Sequence, residues 1–330
     1  MTTTVSVIIC TAGKPESLRQ TLQSLKQVNL PQNFECEVLV VDNRPDSSQL
    51  VVETTDLRPF NLRYVAEPQP GQTCARNTGL GKSTGDFIVF TDDDIRLPVD
   101  WIEKLTAPIV GGQADAVAGE ITIAPHLLRD WMTHLHRAFF AETNVPTQVP
   151  FSMTGANMAF SRSVLQKVPG FDENLGPGRL GFVDDGLFSE QIAAAGFRIK
   201  FIQNAAVEHH FDVSRLTRSS LIAHAVSAGR SEAYVAHHWK HRKIFVPRLH
   251  SLRKQLELKL WRLTNKAVTQ REEGCPEQEL YIIIAQSYYS YYAGVRNEPR
   301  KYARPDLESS GHKTLGGAFR AFKNSISKGS

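Results

Sequence analysis

Four cysteines in 330 residues, none of them in a CxxC pair, exclude a zinc ribbon and a disulfide framework and fit a reducing compartment. No apolar run approaches the roughly 18–20 residues of a spanning helix, so an integral membrane protein is not expected. The N-terminus lacks a basic n-region, and its apolar stretch from Val5 to Cys10 is too short for a signal peptide. Export is therefore not expected, and a cytoplasmic location is. There is no internal repeat and no low-complexity tract. There is also no GxGxxG after the first apolar run, which weakens a nicotinamide-binding reading. The run Gly79-Leu80-Gly81-Lys82-Ser83 resembles the end of a phosphate-binding loop, but Arg76 stands where that motif needs glycine, and the run closes a helix instead of opening one.

What is present is ample core material, 41% hydrophobic residues, enough for about two domains or one large α/β domain with an appendage. Charge is divided along the chain. Residues 1–210 hold 17 Lys and Arg against 24 Asp and Glu, whereas residues 211–330 hold 21 against 10. An acidic first portion can gather carboxylates around a cation; a basic second portion can face phosphates, nucleic acid or an anionic membrane. No nucleic-acid recognition motif accompanies the basic charge, so nucleic acid is not an expected partner.

Val5–Cys10, Val38–Asp42, Leu62–Val65 and Phe87–Thr91 read as buried strands, and Pro15–Val28, Ser47–Asp56 and Thr73–Leu80 as the helices between them. Strict alternation predicts a parallel sheet with helices on both faces, and ligands in such sheets bind beyond the carboxyl ends of the strands. Thr11, Asp42, Glu67 and Asp92 stand at those ends. From 121 to 150 the pattern loosens into a helix around Trp131, His134, Phe139 and Phe140 and a proline-containing loop, and 151–210 returns to mixed α/β character. Beyond 211 the chain reads as helical and basic. Leu249, Leu252, Leu256, Leu260 and Leu263 fall on one helix face, with Arg253, Lys254, Lys259, Arg262 and Lys266 beside or opposite it. Such a face suits either an anionic membrane surface or packing on the same domain or a partner subunit.

Three clusters can carry chemistry. Asp92-Asp93-Asp94 ends the fourth strand, and consecutive carboxylates need a cation or full solvation. If the segment is extended, Asp92 and Asp94 point together at one divalent ion and Asp93 points elsewhere. Asp184-Asp185 opens an amphipathic helix, where carboxylates either complement the helix dipole or are held rigidly enough for general-base work. Glu208-His209-His210 follows another apolar run and could bring an imidazole to the metal. His237, His238 and His241 have i, i+4 spacing without a carboxylate, a weak case for zinc.

The blocks VSVIICTAGKPESLRQTLQSL, VLVVDN, GQTCARNTGL, GDFIVFTDDDI, TGANMAFSRSVLQKVPGFDE, FVDDGLFSEQIAAAGFRI and AAVEHH, in this order over residues 4–235, resemble the family 2 glycosyltransferases, inverting enzymes of the GT-A fold that use nucleotide sugars. The resemblance implies a Rossmann-type, mostly parallel sheet flanked by helices in residues 1–235, with 1–120 as the nucleotide half and 121–235 as the acceptor and catalytic half. A helical basic extension over 236–305 and a loosely ordered tail over 306–330 would follow. It implies that Thr11, Asp42, Arg76, Asp92 and Asp93 contact the nucleotide sugar. Asp92 and Asp94, as a DxD motif, would hold Mn²⁺ or Mg²⁺ together with His209 or His210. Asp185 would be the general base beside Asp184, and Gly155 and Asn157 would contact substrate.

The sequence departs from the family pattern in two places. Thr11-Ala12-Gly13-Lys14 lacks the usual aromatic after the first strand, and Asp184 replaces a glutamate. The QxxRW motif of processive polymerising relatives is absent, which points to single additions. The expected partners are a nucleoside-diphosphate sugar and a saccharide or lipid-linked saccharide acceptor, with peripheral membrane contact, and the expected setting is cell-surface polysaccharide or glycoconjugate synthesis. The rival readings are a sugar-phosphate nucleotidyltransferase, which needs a glycine-rich basic loop after the first strand, and a catalytically silent carbohydrate-binding relative.

Overall fold

The computed structural model describes residues 2–44, 48–143 and 152–303. The expected tail at 306–330 and most of the proline-containing loop lie outside the described residues. The first half follows the alternation read from the sequence: β1 (Thr3–Thr11), α1 (Pro15–Leu25), β2 (Phe34–Asp42), α2 (Gln49–Thr54), β3 (Asn61–Ala66), α3 (Gln72–Lys82) and β4 (Phe87–Asp92). These four strands lie parallel in the order β3-β2-β1-β4. Val5, Val7 and Ile9 of β1 point to one face, against Leu18, Leu22 and Leu25 of α1. Ile8 and Cys10 point to the other, where α3 packs. The period of two along the strand and the three-to-four spacing along the helix thus place one strand between two helix layers. α3 lies so close that a Cβ on Gly79 would fall 2.5 Å from Ile8 Cγ2.

The second half continues through β5 (Ile95–Arg96), α4 (Trp101–Val110), β6 (Ala116–Ile123), α5 (His134–Phe139), β7 (Asn157–Ser161), α6 (Asp184–Ala194) and β8 (Ile199–His209). Here the sheet is mixed. β7 runs antiparallel to both β4 and β6, β6 and β8 are parallel, and the two-residue β5 runs antiparallel to β8, giving the full order β3-β2-β1-β4-β7-β6-β8-β5. The expected mostly parallel sheet therefore holds only narrowly, because four of the seven pairings among the described residues are parallel.

Among the described residues four further α-helices follow: α7 (Arg218–His238), α8 (Pro247–Thr264), α9 (Lys266–Thr269) and α10 (Glu277–Val295). α10 packs on α7 where Gly229 permits close approach, since a Cβ there would fall 2.3 Å from Ile284 O. The fully buried Glu279 accepts both Arg218 (2.6 Å) from α7 and Arg262 (2.8 Å) from α8, so one carboxylate ties three helices together. The boundary expected at 235/236 falls inside α7, a helix shared by the α/β body and the extension. No described helix is long and apolar enough to cross a membrane.

Candidate active site

At the carboxyl ends of β1 and β4 opens a cavity of about 880 Å³, within the range of small-molecule sites. Among the described residues it is lined by seven carboxylates against four Lys or Arg side chains. Such an excess favours a cation.

Its floor is the segment after β4. Asp92 is the last strand residue, but Asp93 and Asp94 lie in a turn, so the expected strand alternation does not apply to them. Thr21 on α1 pins the turn by donating to Asp93 O (2.8 Å) and Ile95 O (3.0 Å). The three side chains line one cavity but take different partners. Asp92 Oδ1 accepts from Gln72 Nε2 at 3.2 Å and lies 3.9 Å from Arg76 Nη2. Asp93 accepts from Thr11 Oγ1 at 2.6 Å, and Asp94 is within 3.2 Å of Lys14 Nζ and 3.3 Å of His209 Nε2. Burial pushes the Asp93 carboxyl up to about 6. Burial acts on Asp94 too, but His209 and Lys14 more than offset it and hold Asp94 below the usual carboxylate range.

His209 reaches this turn through the sheet. β5, directly after the acidic turn, pairs with the end of β8 in register Ile95↔His209, and the His210 N–H donates to Asp94 O at 2.7 Å. The His209 ring is buried with Nδ1 2.7 Å from Phe140 O, which fixes the ring so that its Nε2 edge faces Asp94. His210 points away, toward Glu208 (3.2 Å) and His126. Of the two histidines left open by the sequence, only His209 faces the cavity.

The opposite wall is built around Arg76, 3% exposed, on α3. Its Nη1 donates to Asp184 Oδ2 at 2.5 Å and also to Asp185 Oδ1, side chains 108 and 109 residues away at the start of α6. The expected nucleotide-lining role of Arg76 is thus joined to a second one, as the counter-charge that holds both carboxylates. Asp184 is buried at the edge of the cavity, and that burial, together with the adjacent Asp185 charge, raises it well above the carboxylate range. Asp185 keeps 21% side-chain exposure, accepts the Gly155 N–H at 2.8 Å through Oδ2, and faces the cavity. Val183, immediately before, adopts φ +74°, an uncommon conformation for a β-branched residue that sets the angle at which the helix starts.

Three expected contacts take other roles. Asp42 is fully buried and does not line the cavity, because its carboxylate accepts the backbone N–H groups of Arg44 and Ser48, both at 2.9 Å. Asn157 is also fully buried: Nδ2 donates to Glu120 O and Ala205 O, and Oδ1 accepts from Trp101 Nε1 at 2.9 Å. It stitches the sheet to α4 and touches no open space. Asn157→Ala is expected to cost about 2–4 kcal/mol of stability by stranding three buried polar groups, while leaving KM for the donor unchanged. Thermal melts and steady-state kinetics check this, and a raised KM at unchanged stability would return Asn157 to the substrate site. Gly155 contacts Asp185 through its backbone, and a Cβ there would lie 1.9 Å from Arg76 Nη2. Gly155→Ala should therefore displace the guanidinium and lower turnover at least ~10-fold, together with the melting temperature. Wild-type values of both would show that Arg76 is not confined.

Lys14, Gln72, Arg215 and His224 also line the cavity and were not among the expected site residues. Arg215 lies against the Phe140 and Phe211 rings, 5.4 Å from each. A basic residue six positions after His209 was the available signal, but nothing in the local pattern separates it from the many basic residues that follow. The His237 and His238 rings touch edge-on, but His237 Nε2 faces Glu298 O and His241 Nε2 faces Tyr302 O, so the three do not share one metal-binding point. Among the described residues, no three His, Cys, Asp or Glu side chains form a ready-made metal cluster. The donor chemistry at the acidic turn nonetheless fits Mn²⁺ or Mg²⁺, with Asp94, His209 Nε2 and the nearby Asp92 offering oxygen and imidazole donors and leaving positions open.

Residues 6–169 match the family described as glycosyl transferase family 2. The chain is 33% identical over 150 residues to the succinoglycan biosynthesis protein ExoM of Rhizobium meliloti, covering 43% of this chain and 48% of that protein. It is 27% identical over 185 residues to a glucosyl-dolichyl phosphate glucuronosyltransferase of Haloferax volcanii, covering 52% of this chain and 57% of that one. The chain thus spans about half the length of these curated relatives. Among solved structures, the S. aureus TarS 1–349 fragment superposes with a TM-score of 0.50 at 17% identity, covering 92% of this chain and 93% of that one. The mannosyltransferase PcManGT of Pyrobaculum calidifontis, in complex with GDP-Man and Mn²⁺, gives 0.51 at 17% identity, covering 98% and 79%. At these identities the likeness establishes the fold, which is the GT-A arrangement expected from the sequence.

Proposed function

We propose that this chain, which belongs to glycosyl transferase family 2 through residues 6–169, moves a sugar from a nucleoside diphosphate to an acceptor hydroxyl by a single inverting displacement. The observation that carries the reading is the placement of Asp185. It is a partly exposed carboxylate, fixed through both oxygens by Arg76 and the Gly155 N–H, in the same cavity as the Asp92–Asp94 turn.

Asp185 takes the proton from the acceptor hydroxyl as that oxygen attacks the anomeric carbon. Its neighbour Asp184 is too enclosed for this and is occupied by Arg76. Asp94, His209 and Asp92 would hold a divalent ion, whose charge would offset that of the departing diphosphate. Lys14 and Arg215 lie at the same end of the cavity and add fixed positive charge there, so the leaving group needs no general acid. Thr11 orients Asp93 and closes the floor. On the other side His134, Phe139, Phe182, Ser220 and His224 surround a mixed apolar and polar space suited to an acceptor. Among the described residues His224 Nδ1 has no hydrogen-bond partner there. The relatives' names, succinoglycan biosynthesis and a dolichyl-phosphate-linked substrate, support polysaccharide or glycoconjugate synthesis with a saccharide or lipid-linked acceptor.

The nucleotidyltransferase reading loses ground because Lys14, the basic residue after β1, is turned onto Asp93 and Asp94 instead of facing an open loop. Incubation with labelled UDP- and GDP-sugars and Mn²⁺ separates the readings. Transfer or slow donor hydrolysis, with inverted configuration by NMR, is expected; pyrophosphate exchange or complete inertness would overturn the proposal.

A further inference from the structure

α8 is built inside out. A helix on a protein surface normally buries its apolar stripe and shows water its polar side. Here the side that meets α10 is the more polar one: Ser251 accepts from Gln286 Nε2 on α10, His250, itself exposed, stacks on Tyr289, and Arg262 reaches the buried Glu279, with the half-buried Leu258 and Trp261 between them. The opposite side carries Leu249, Leu252, Leu256, Leu260 and Leu263, all between 55% and 63% exposed. At 3.6 residues per turn these five fall within a stripe about 80° wide. Phe245 (83% exposed) and Val246 (58%) stand just before its first turn. No described residue covers the row. Seven large apolar side chains, each more than half exposed, make this face a candidate interaction surface.

The charges around the row say what covers it. Arg253 lies along one edge and Lys259 and Arg248 along the other, all exposed. Glu257, the acidic residue of this helix, is paired with Lys254 at 2.7 Å. The stripe thus has basic margins and no free acidic one, on the part of the chain with 21 basic against 10 acidic residues. The core of a protein–protein contact is depleted of charged residues and its rim is polar, with no requirement for charge of one sign. An apolar stripe with Lys and Arg on both sides is instead the pattern of a helix lying in the interface of an anionic bilayer.

We propose that the outer face of α8, with Phe245 and Val246, docks this protein on anionic lipid membrane, the leucines entering the acyl boundary and Arg248, Arg253 and Lys259 meeting the headgroups. The helix, roughly 27 Å long, lies flat on the surface and does not cross it. Docking does not depend on the transferase reading, because it is measured without turnover.

The test is co-sedimentation of the full chain with phosphatidylcholine vesicles, with and without phosphatidylglycerol, at low and high salt. Binding to the anionic vesicles that weakens with salt is expected. Two variants are compared with it: Leu252→Glu/Leu256→Glu/Leu260→Glu, and Arg248→Glu/Arg253→Glu/Lys259→Glu. All six side chains are exposed, so both should keep the wild-type circular dichroism and melting temperature, and each should lose on the order of hundredfold in partitioning. Absence of binding to anionic vesicles at low salt would overturn the proposal, as would equal binding of wild type and leucine variant. A wild-type dimer in sedimentation velocity, split by the leucine variant and without vesicle binding, would reassign the face to a second copy of the chain.

Discussion

Asp185→Asn is expected to lower sugar transfer by at least ~10²-fold while donor affinity stays close to wild type, the size of effect that follows loss of a general base. The geometry makes the experiment more demanding than a simple isosteric swap. Both Asp185 oxygens are engaged as acceptors, Oδ1 by Arg76 and Oδ2 by the Gly155 N–H at 2.8 Å. An asparagine can satisfy only one of these donors and presents its amide to the other, at a stability cost of about 1–3 kcal/mol. Melting temperature and calorimetric donor binding therefore have to be measured beside the rate. A fall in turnover with donor binding retained assigns the proton transfer to Asp185. Unchanged turnover would remove it from the mechanism, and lost donor binding would show that its main task is to hold Arg76.

The second large effect is expected at Asp94. Asp94→Ala should weaken Mn²⁺-dependent binding of UDP or GDP by more than roughly 10²-fold, because loss of a group that merely orients a metal ligand already costs 10–100-fold. The change also leaves Lys14 and His209 without the carboxylate that both now face, at 3.2 and 3.3 Å. Asp93→Asn is the comparison. Its carboxylate is turned to Thr11, so that variant should keep the metal dependence. Calorimetry with each nucleotide, with and without Mn²⁺, reads both. Affinity that survives Asp94→Ala and remains metal-dependent would show that the ion is held elsewhere.

The acidic turn, the helix that begins at Asp184 and the parallel β3-β2-β1-β4 half were legible in the sequence because each rests on local pattern. Period-two apolar runs give β1 to β4, three-to-four spacing gives α1 and α3, and consecutive carboxylates at a strand end need charge compensation wherever the chain goes. The readings at Asp42 and Asn157 misplaced the side chains for a shared reason. A polar residue at the end of a strand can face a ligand or its own backbone, and sequence position does not distinguish the two. In the structure Asp42 secures the backbone of Arg44 and Ser48, and Asn157 satisfies Glu120 O and Ala205 O.

The sequence by itself determined the strand–helix alternation, the carboxylates available for chemistry and the leucine row of α8. Tertiary structure decided which groups meet. The choice of His209 over His210 depends on the β5–β8 pairing, which is only two residues long and joins segments more than a hundred positions apart. The Arg76 pair with Asp184 and Asp185 spans a similar separation, and its buried charges are tolerable only because they neutralise one another. The direction of the leucine row was open in the same way. A helical stripe fixes which residues share a face, whereas the polar contacts of α8 with α10 and the Arg262–Glu279 bond determine that this face turns outward.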